Sequence, residues 1–316
     1  MNSLTQRVHP WALAVGIALM LVAPALLYPI FLMKLMCFAI LAASLNLLMG
    51  YGGLLSFGHA MFFGSAAYVC AHVVKVWGWD VSLGLLAGTA TAALLALFTG
   101  VLAIRRQGIA FSMITLAFAQ LVYFIALRAP FTGGEDGIQN VPRRPLFGLL
   151  DISDNLVLYY VVLAITAAAF WLVFRIVYSP FGQVQRAIRD NEPRALSLGY
   201  PVRRYKLLAY VLSAALAGVA GATKVIVFQI ATLTDVGFGV SGEAVLMTIL
   251  GGIQTQLGPV IGALVMVTME NYLASFAEWV LLLQGVVFIV VVLLARRGLV
   301  GEFRAWRERR AAPDAS

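Results

Sequence analysis

The chain has 316 residues, 62% of them hydrophobic and only 11% charged, with a mean hydropathy of +0.93. Soluble domains average about 45–50% apolar and about 25% charged, so this composition excludes a globular protein in water and makes lipid the solvent. The net charge of +8 does not mark a nucleic-acid partner, because the basic residues fall in short stretches between apolar runs and form no face with interleaved exposed aromatics.

About 20 apolar residues carry a helix across roughly 30 Å of hydrocarbon. On that ruler the candidate spans are Trp11–Tyr28, Phe31–Met49, Leu54–Val74, Leu83–Ile104, Ile109–Ala129, Leu156–Tyr178, Lys206–Phe228, a short Val240–Ile249, Pro259–Phe276 and Trp279–Ala295. Arg7 and His9 precede the first run, and Ala23-Pro24-Ala25 mimics a signal-peptidase site. A second run follows almost at once, so a retained span is expected rather than a cleaved leader. Gly50-Tyr51-Gly52-Gly53 breaks the second span from the third, and the eighth is too short to cross alone. The expectation is an all-α integral membrane protein, one transmembrane permease domain over 1–316, with about ten transmembrane or partly re-entrant helices. Cys37 and Cys70 lie inside apolar runs and read as packing residues.

Lysine and arginine set the orientation. With the N-terminus inside, the inner side receives Arg7, Arg105, Arg106, Arg175, Arg186, Arg189, Arg194, Arg203, Arg204, Lys206, Arg296, Arg297, Arg304, Arg307, Arg309 and Arg310. The outer half receives only Lys34, Lys75, Arg128, Arg143, Arg144 and Lys224. This bias predicts both termini in the cytoplasm, with a basic tail over 297–316.

Two loops stand out. The external one, Pro130–Asn155, carries Glu135, Asp136, Asp151 and Asp154 and the run Thr132-Gly133-Gly134-Glu135-Asp136-Gly137, whose glycines permit turns with φ > 0. It reads either as a solvated loop or as a docking or gating surface. The cytoplasmic one spans 179–205. Ser179-Pro180-Phe181-Gly182 stops a span. Val184, Ile188, Ala195 and Leu198 then mark a narrow apolar face among charges, predicting one or two short surface helices ended by Gly199. Asp190 and Glu192 disfavour a helix that merely grips anionic lipid and favour a protein partner.

Motifs for chemistry are absent. Gly237-Phe-Gly239-Val-Ser-Gly242 fits a dinucleotide pattern without the strand–turn–helix that gives it meaning. No phosphate-binding GxxxxGK[ST] loop occurs, so the chain is not expected to hydrolyse ATP or act as an enzyme, and no metal cluster is read. Asn46, Gly50, Tyr51, Gly52, Gly53, Ser56, Gly58, His59 and Gly64 place polar and flexible groups at membrane depth, where broken backbone survives only when buried in protein or lining a watery cavity. A translocation-path element is the preferred reading, with His59 a packing or pore-lining group. Glu243 and Glu270 lie in apolar runs, with Lys224 a candidate partner for one of them. Ala214-xxx-Gly218-xxx-Ala222, Gly84-xxx-Gly88 and Gly258-xxx-Gly262 predict close helix contacts. Gly52-Gly53…Gly58 faintly echoes Gly251-Gly252…Gly258.

Taken in order, Leu45-Asn46-Leu47-Leu48-Met49-Gly50-Tyr51-Gly52-Gly53-Leu54-Leu55-Ser56-Phe57-Gly58-His59-Ala60, Ile114-Thr115-Leu116-Ala117-Phe118, Thr132-Gly133-Gly134, the loop Ser179–Gly199 with Arg204-Tyr205-Lys206-Leu207, and Leu250-Gly251-Gly252 with Gly258-Pro259 resemble the M-type permease of branched-chain amino acid ABC transporters. The resemblance implies a bacterial inner-membrane importer with a second homologous permease, two cytoplasmic ATPases and an external substrate-binding protein. ATP and Mg would be bound by those ATPases, and no cofactor by this chain. Gly182, Arg186, Ala187, Ile188, Arg189, Asn191, Glu192, Ala195, Leu198 and Gly199 would form the ATPase-coupling loop. Asn46, Gly50, Tyr51, Gly52, Gly53, Ser56, Gly58, His59, Thr115 and Phe118 would face the path. Pro193 departs from the family pattern and either splits the coupling helix or sits in its first turn. Relatives of such permeases also move urea or short-chain amides, and an ion-coupled transporter using Glu243 and Glu270 is the rival class.

Overall fold

A computed structural model describes residues 20–21, 23–24, 27–146, 148, 151–273, 277–294 and 298–302. Most of the first expected span, Trp11–Tyr28, and the 297–316 tail apart from 298–302 lie outside the described residues. Within them the elements are α1 (Pro29–Asn46), α2 (His59–Lys75), α3 (Val81–Ala103), α4 (Ile109–Arg128), α5 (Asn155–Val177), α6 (Pro180–Asp190), α7 (Glu192–Ser197), α8 (Val202–Phe228), α9 (Phe238–Gly251), α10 (Gly258–Leu273) and α11 (Ala277–Leu294). Five of these are long and apolar enough to cross a membrane: α1 with its extension to Tyr51, α3, α4, α5 and α8.

Burial sorts the five. In their most apolar stretches α1 is 83% buried and α8 67%, against 28% for α3, α4 and α5. Helices α1 and α8 therefore form the centre, and the other three turn large side chains such as Phe98, Phe124 and Trp171 outward. Helix α8 packs closely against α2, α3 and α1, while α10 packs against α1 and α9. The small-residue patterns lie at these contacts. A Cβ on Gly88 would stand 2.6 Å from the Ala66 carbonyl of α2, and one on Gly218 2.6 Å from Ala92 of α3. With Leu-like surroundings on every side, close backbone approach replaces hydrophobic drive as the packing force.

Several boundaries differ from the sequence expectation. The third span begins at His59, not Leu54, because residues 53–56 leave the helix and the chain there bonds to α4 instead. The seventh begins at Val202, four residues before Lys206, so the end of the 179–205 loop is already helical. The 179–205 loop forms two helices. Ser179 caps α6 by accepting from the Gly182 amide (3.3 Å), and Asn191 caps α7 by accepting from the Arg194 amide (3.0 Å). Pro193 thus does both things anticipated of it, splitting the segment and standing in the first turn of α7.

At the opposite end the described part of the Pro130–Asn155 loop is folded, not merely solvated. Gly133, Gly134 and Gly137 all have positive φ, and Ile138 bridges Ala231 while Lys75 donates to the Gln139 carbonyl (2.6 Å). Arg143 donates to Val227 O (3.0 Å) and to Asn155 Oδ1 (2.8 Å), and its partial burial lowers its pKa. Asp151 is held below the usual carboxylate range by the Ser153 hydroxyl and amide.

Candidate functional site

The break anticipated at Gly50–Gly53 is a π-helical turn, Leu47–Tyr51, continuing α1. Asn46 holds it to the loop between α9 and α10. Its Nδ2 donates to Thr255 O (2.8 Å), its Oδ1 accepts from the Gln254 amide (3.1 Å), and Tyr51 donates to Gln254 O (3.0 Å). The turn just before Gly52-Gly53 therefore touches Gly251–Gly258, the later of the two segments that echo each other in sequence. Gly50 has no room for a side chain, since its Cβ would stand 3.0 Å from the Gln254 amide.

Beyond the turn the chain runs back along α4. Ser112 donates to Leu55 O (2.7 Å), and the Phe57 amide donates to Thr115 Oγ1 (3.2 Å). Unwound backbone inside a bundle must find such partners, because lipid supplies none. The chain then starts α2 at His59. The His59 ring is fully buried, with Nε2 2.8 Å from Ser213 Oγ, and Ser213 donates its single hydroxyl proton to Ser44 O (2.6 Å). Nε2 therefore carries the ring proton, and Nδ1 is an acceptor with no hydrogen-bond partner among the described residues. At about 1.5 Å per residue, Ser213 lies about 16 Å from the start of α8, near its midpoint.

A second half-length helix begins at the same height. The Ala60 amide donates to Ser241 Oγ (2.8 Å), and the Phe57 and Phe238 rings lie 5.8 Å apart. The segment before Phe238 is anchored by Asp235, which accepts from Lys224 (2.7 Å to each oxygen) and from the Thr232 amide (3.0 Å). The N-termini of α2 and α9 thus meet inside the bundle, each reached by non-helical chain from an opposite end. Thr115 belongs to this centre. Phe118 is half-buried on the same helix.

The acids do not converge there. Glu270 pairs with Lys34 (2.7 Å), and Lys224 serves Asp235, so neither Glu243 nor Glu270 takes Lys224 as partner. Glu243 has no ion pair among the described residues and lies two residues from Ser241, about 200° round α9.

The helices α6 and α7 dock onto the break. Arg189 donates to Gly50 O (2.8 Å), and a Cβ on Gly53 (φ +70) would stand 2.5 Å from Arg189 Cγ. Gln185 is buried beside Gly52, its amide without a partner among the described residues. Arg186 donates to Val177 O (2.9 Å), and Gly182 lets α6 lie against the last carbonyls of α5. Ile188 and Ala195 pack with Val202, while Glu192 pairs with the buried Lys206. Leu198 leaves the apolar face expected of it: it is 69% exposed, and its neighbour Leu196 is 56% exposed. Ala187, Asn191 and Gly199 (φ +84) also face outward.

Sequence reasoning missed Ser44, Ser112, Ser213, Ser241, Gln185 and Asp235. Nothing in an apolar run separates Ser213, bonded across the bundle, from Thr89 or Thr166, whose hydroxyls return to their own helix four residues back.

A family profile described as "Branched-chain amino acid transport system / permease component" matches residues 27–292. The chain is 28% identical to the high-affinity branched-chain amino acid transport system permease protein LivM of Escherichia coli K12, over 84% of this chain and 68% of that one. It is 28% identical to the autoinducer 2 import system permease protein LsrC of Klebsiella pneumoniae, over 71% of this chain and 67% of that one. It is 30% identical to the ribose import permease protein RbsC of Bacillus subtilis, over 52% of this chain and 51% of that one.

Proposed function

The chain belongs to the branched-chain amino acid transport system permease family, and on that premise we propose that it is the membrane-spanning subunit of a binding-protein-dependent ABC importer for branched-chain or similar apolar amino acids. It is a transport subunit and not an enzyme. In this reading it pairs with a second homologous permease in the bacterial inner membrane, two cytoplasmic ATPases bind ATP and Mg, and an external protein delivers substrate.

The observation that carries the reading is the bond from Arg189 to Gly50 O. It joins a surface helix pair with outward leucines to the point where a central helix breaks. ATP-driven closure of the ATPases would displace α6 and α7, and Arg189 would pass that displacement to the π-helical turn, to the chain bonded along α4, and so to the N-terminus of α2. Non-helical backbone at mid-depth is the usual place for substrate handling in transporters, and alternating access then follows by rocking the bundle. The end carrying Arg105, Arg186, Arg189, Arg203 and Arg204 is the cytoplasmic one, and the Pro130–Asn155 loop faces the binding protein. Glu270 is already paired with Lys34, which favours this reading over an ion-coupled one.

Uptake of radiolabelled leucine by cells expressing the whole transporter tests it. Saturable, ATP-dependent uptake competed by isoleucine and valine, but not by urea or acetamide, is expected. Competition by urea or acetamide alone would move the substrate class while leaving the transporter type in place.

A further inference from the structure

At the basic end a groove is lined by residues of α3 and α8. Its upper part, about 200 Å³, is walled by Gly100, Val101 and Leu207, and its mouth widens to about 530 Å³ between the α3–α4 turn and α7. Arg105, Arg203 and Arg204 line both parts. All three are exposed, and among the described residues none forms an ion pair. The one acid at the mouth, Glu192, is already neutralised by Lys206.

Three arginines converge on one groove with no described acid left to pair with them. Arg203 and Arg204 occupy the first turn of α8, where no acidic residue stands and the helix dipole itself is positive. Three guanidinium groups that no described acid pairs offer a site for an anion, and planar guanidinium matches phosphate in bidentate fashion. The wall next to them is apolar and open to lipid: Val101 is 47% exposed, and Leu208, on the neighbouring stretch of α8, is 49%. Gly100 lets Leu207 and Tyr210 of α8 lie close against α3 at the inner end of the groove, since its Cβ would stand 2.8 Å from each.

We propose that Arg105, Arg203 and Arg204 form a headgroup site for an anionic phospholipid whose acyl chain lies along Gly100, Val101 and Leu207. A free phosphate would use the arginines but not the apolar groove, whereas a lipid uses both. Basic pockets between helices at a membrane surface bind such headgroups by this combination. The site does not depend on which substrate is carried.

Native mass spectrometry of the full chain in neutral detergent tests the assignment, with phosphatidylglycerol, phosphatidylcholine and inorganic phosphate added separately. Phosphatidylglycerol is expected to be retained in preference to phosphatidylcholine. Its apparent affinity should fall at least about tenfold in the triple variant Arg105→Gln, Arg203→Gln, Arg204→Gln. It should hold in Arg128→Gln, at the opposite end. Val101→Trp, which fills the groove and keeps every charge, should weaken dioleoyl phosphatidylglycerol but not the dihexanoyl form, and this variant answers the question if the triple variant does not fold. Equal retention of the two headgroups, or of phosphatidylglycerol by wild type and both variants, would overturn the proposal. Displacement by millimolar inorganic phosphate would assign the arginines to a free anion instead.

Discussion

Arg189, on a surface helix, donates a hydrogen bond to the carbonyl of Gly50, 139 residues earlier, at the point where central helix α1 loosens into a π-helical turn. The same guanidinium also grips Asp190 (2.6 Å). Gly53, with φ of +70, brings the backbone so close that any side chain there would strike the Arg189 stem. A π-helical turn leaves carbonyls without their usual partners, and a charged donor stabilises one of them by more than a neutral group does.

The α9–α10 contact depends on the absence of a side chain at Gly262, whose Cβ would collide with the Met247 carbonyl oxygen. Gly262→Ala should force the helices apart and destabilise the protein by about 1–3 kcal/mol. Gly242→Ala on α9 meets nothing within 4 Å and should be neutral or slightly stabilising, as alanine is the better helix former. Thermal melting of the two purified variants makes the comparison.

Lys224 and Asp235 form an ion pair with side chains only 13% and 7% exposed. Lys224→Met leaves a buried carboxylate unpaired and should cost about 3–5 kcal/mol. The double variant Lys224→Met, Asp235→Leu removes both charges and should recover most of that loss, though a leucine side chain cannot accept from the Thr232 amide as the carboxylate does. A double-mutant cycle on melting temperature reads the coupling.

How much of this is legible in the sequence depends on whether the signal is local. The break at Gly50–Gly53 is readable, because glycines in an apolar run have few uses there. So are the surface helices after Ser179, from the stop at Pro180 and Gly182, the apolar positions Val184 and Ile188 among charges, and the turn at Gly199. The ion pairs are not, since Lys34 meets Glu270 and Lys224 meets Asp235 through tertiary packing alone. Nor is the climb of residues 53–56 along α4. Leu54-Leu55-Ser56-Phe57 is apolar enough to pass for helix, and only the distant hydroxyls of Ser112 and Thr115 draw it out. Spacing assigns Leu198 to a buried stripe, yet the kink at Asn191 (φ −157) resets the phase between α6 and α7.

With Leu196 and Leu198 turned outward next to Arg194, α7 offers an apolar contact that none of the described residues covers. Leu198→Glu should leave the permease folded, since the side chain touches little, and should abolish co-purification of the ATPases. Affinity capture of the assembled transporter, with the melting temperature of the permease as control, checks both halves.

The most direct test of coupling through Arg189 is the number of ATP molecules hydrolysed per leucine imported, measured in proteoliposomes holding the whole transporter with wild-type chain or Arg189→Ala. Losing a charged hydrogen bond costs about 1.5–3 kcal/mol, so the variant should still assemble and hydrolyse ATP while uptake falls at least about tenfold and the ratio rises to match. An unchanged ratio in the variant would contradict the account.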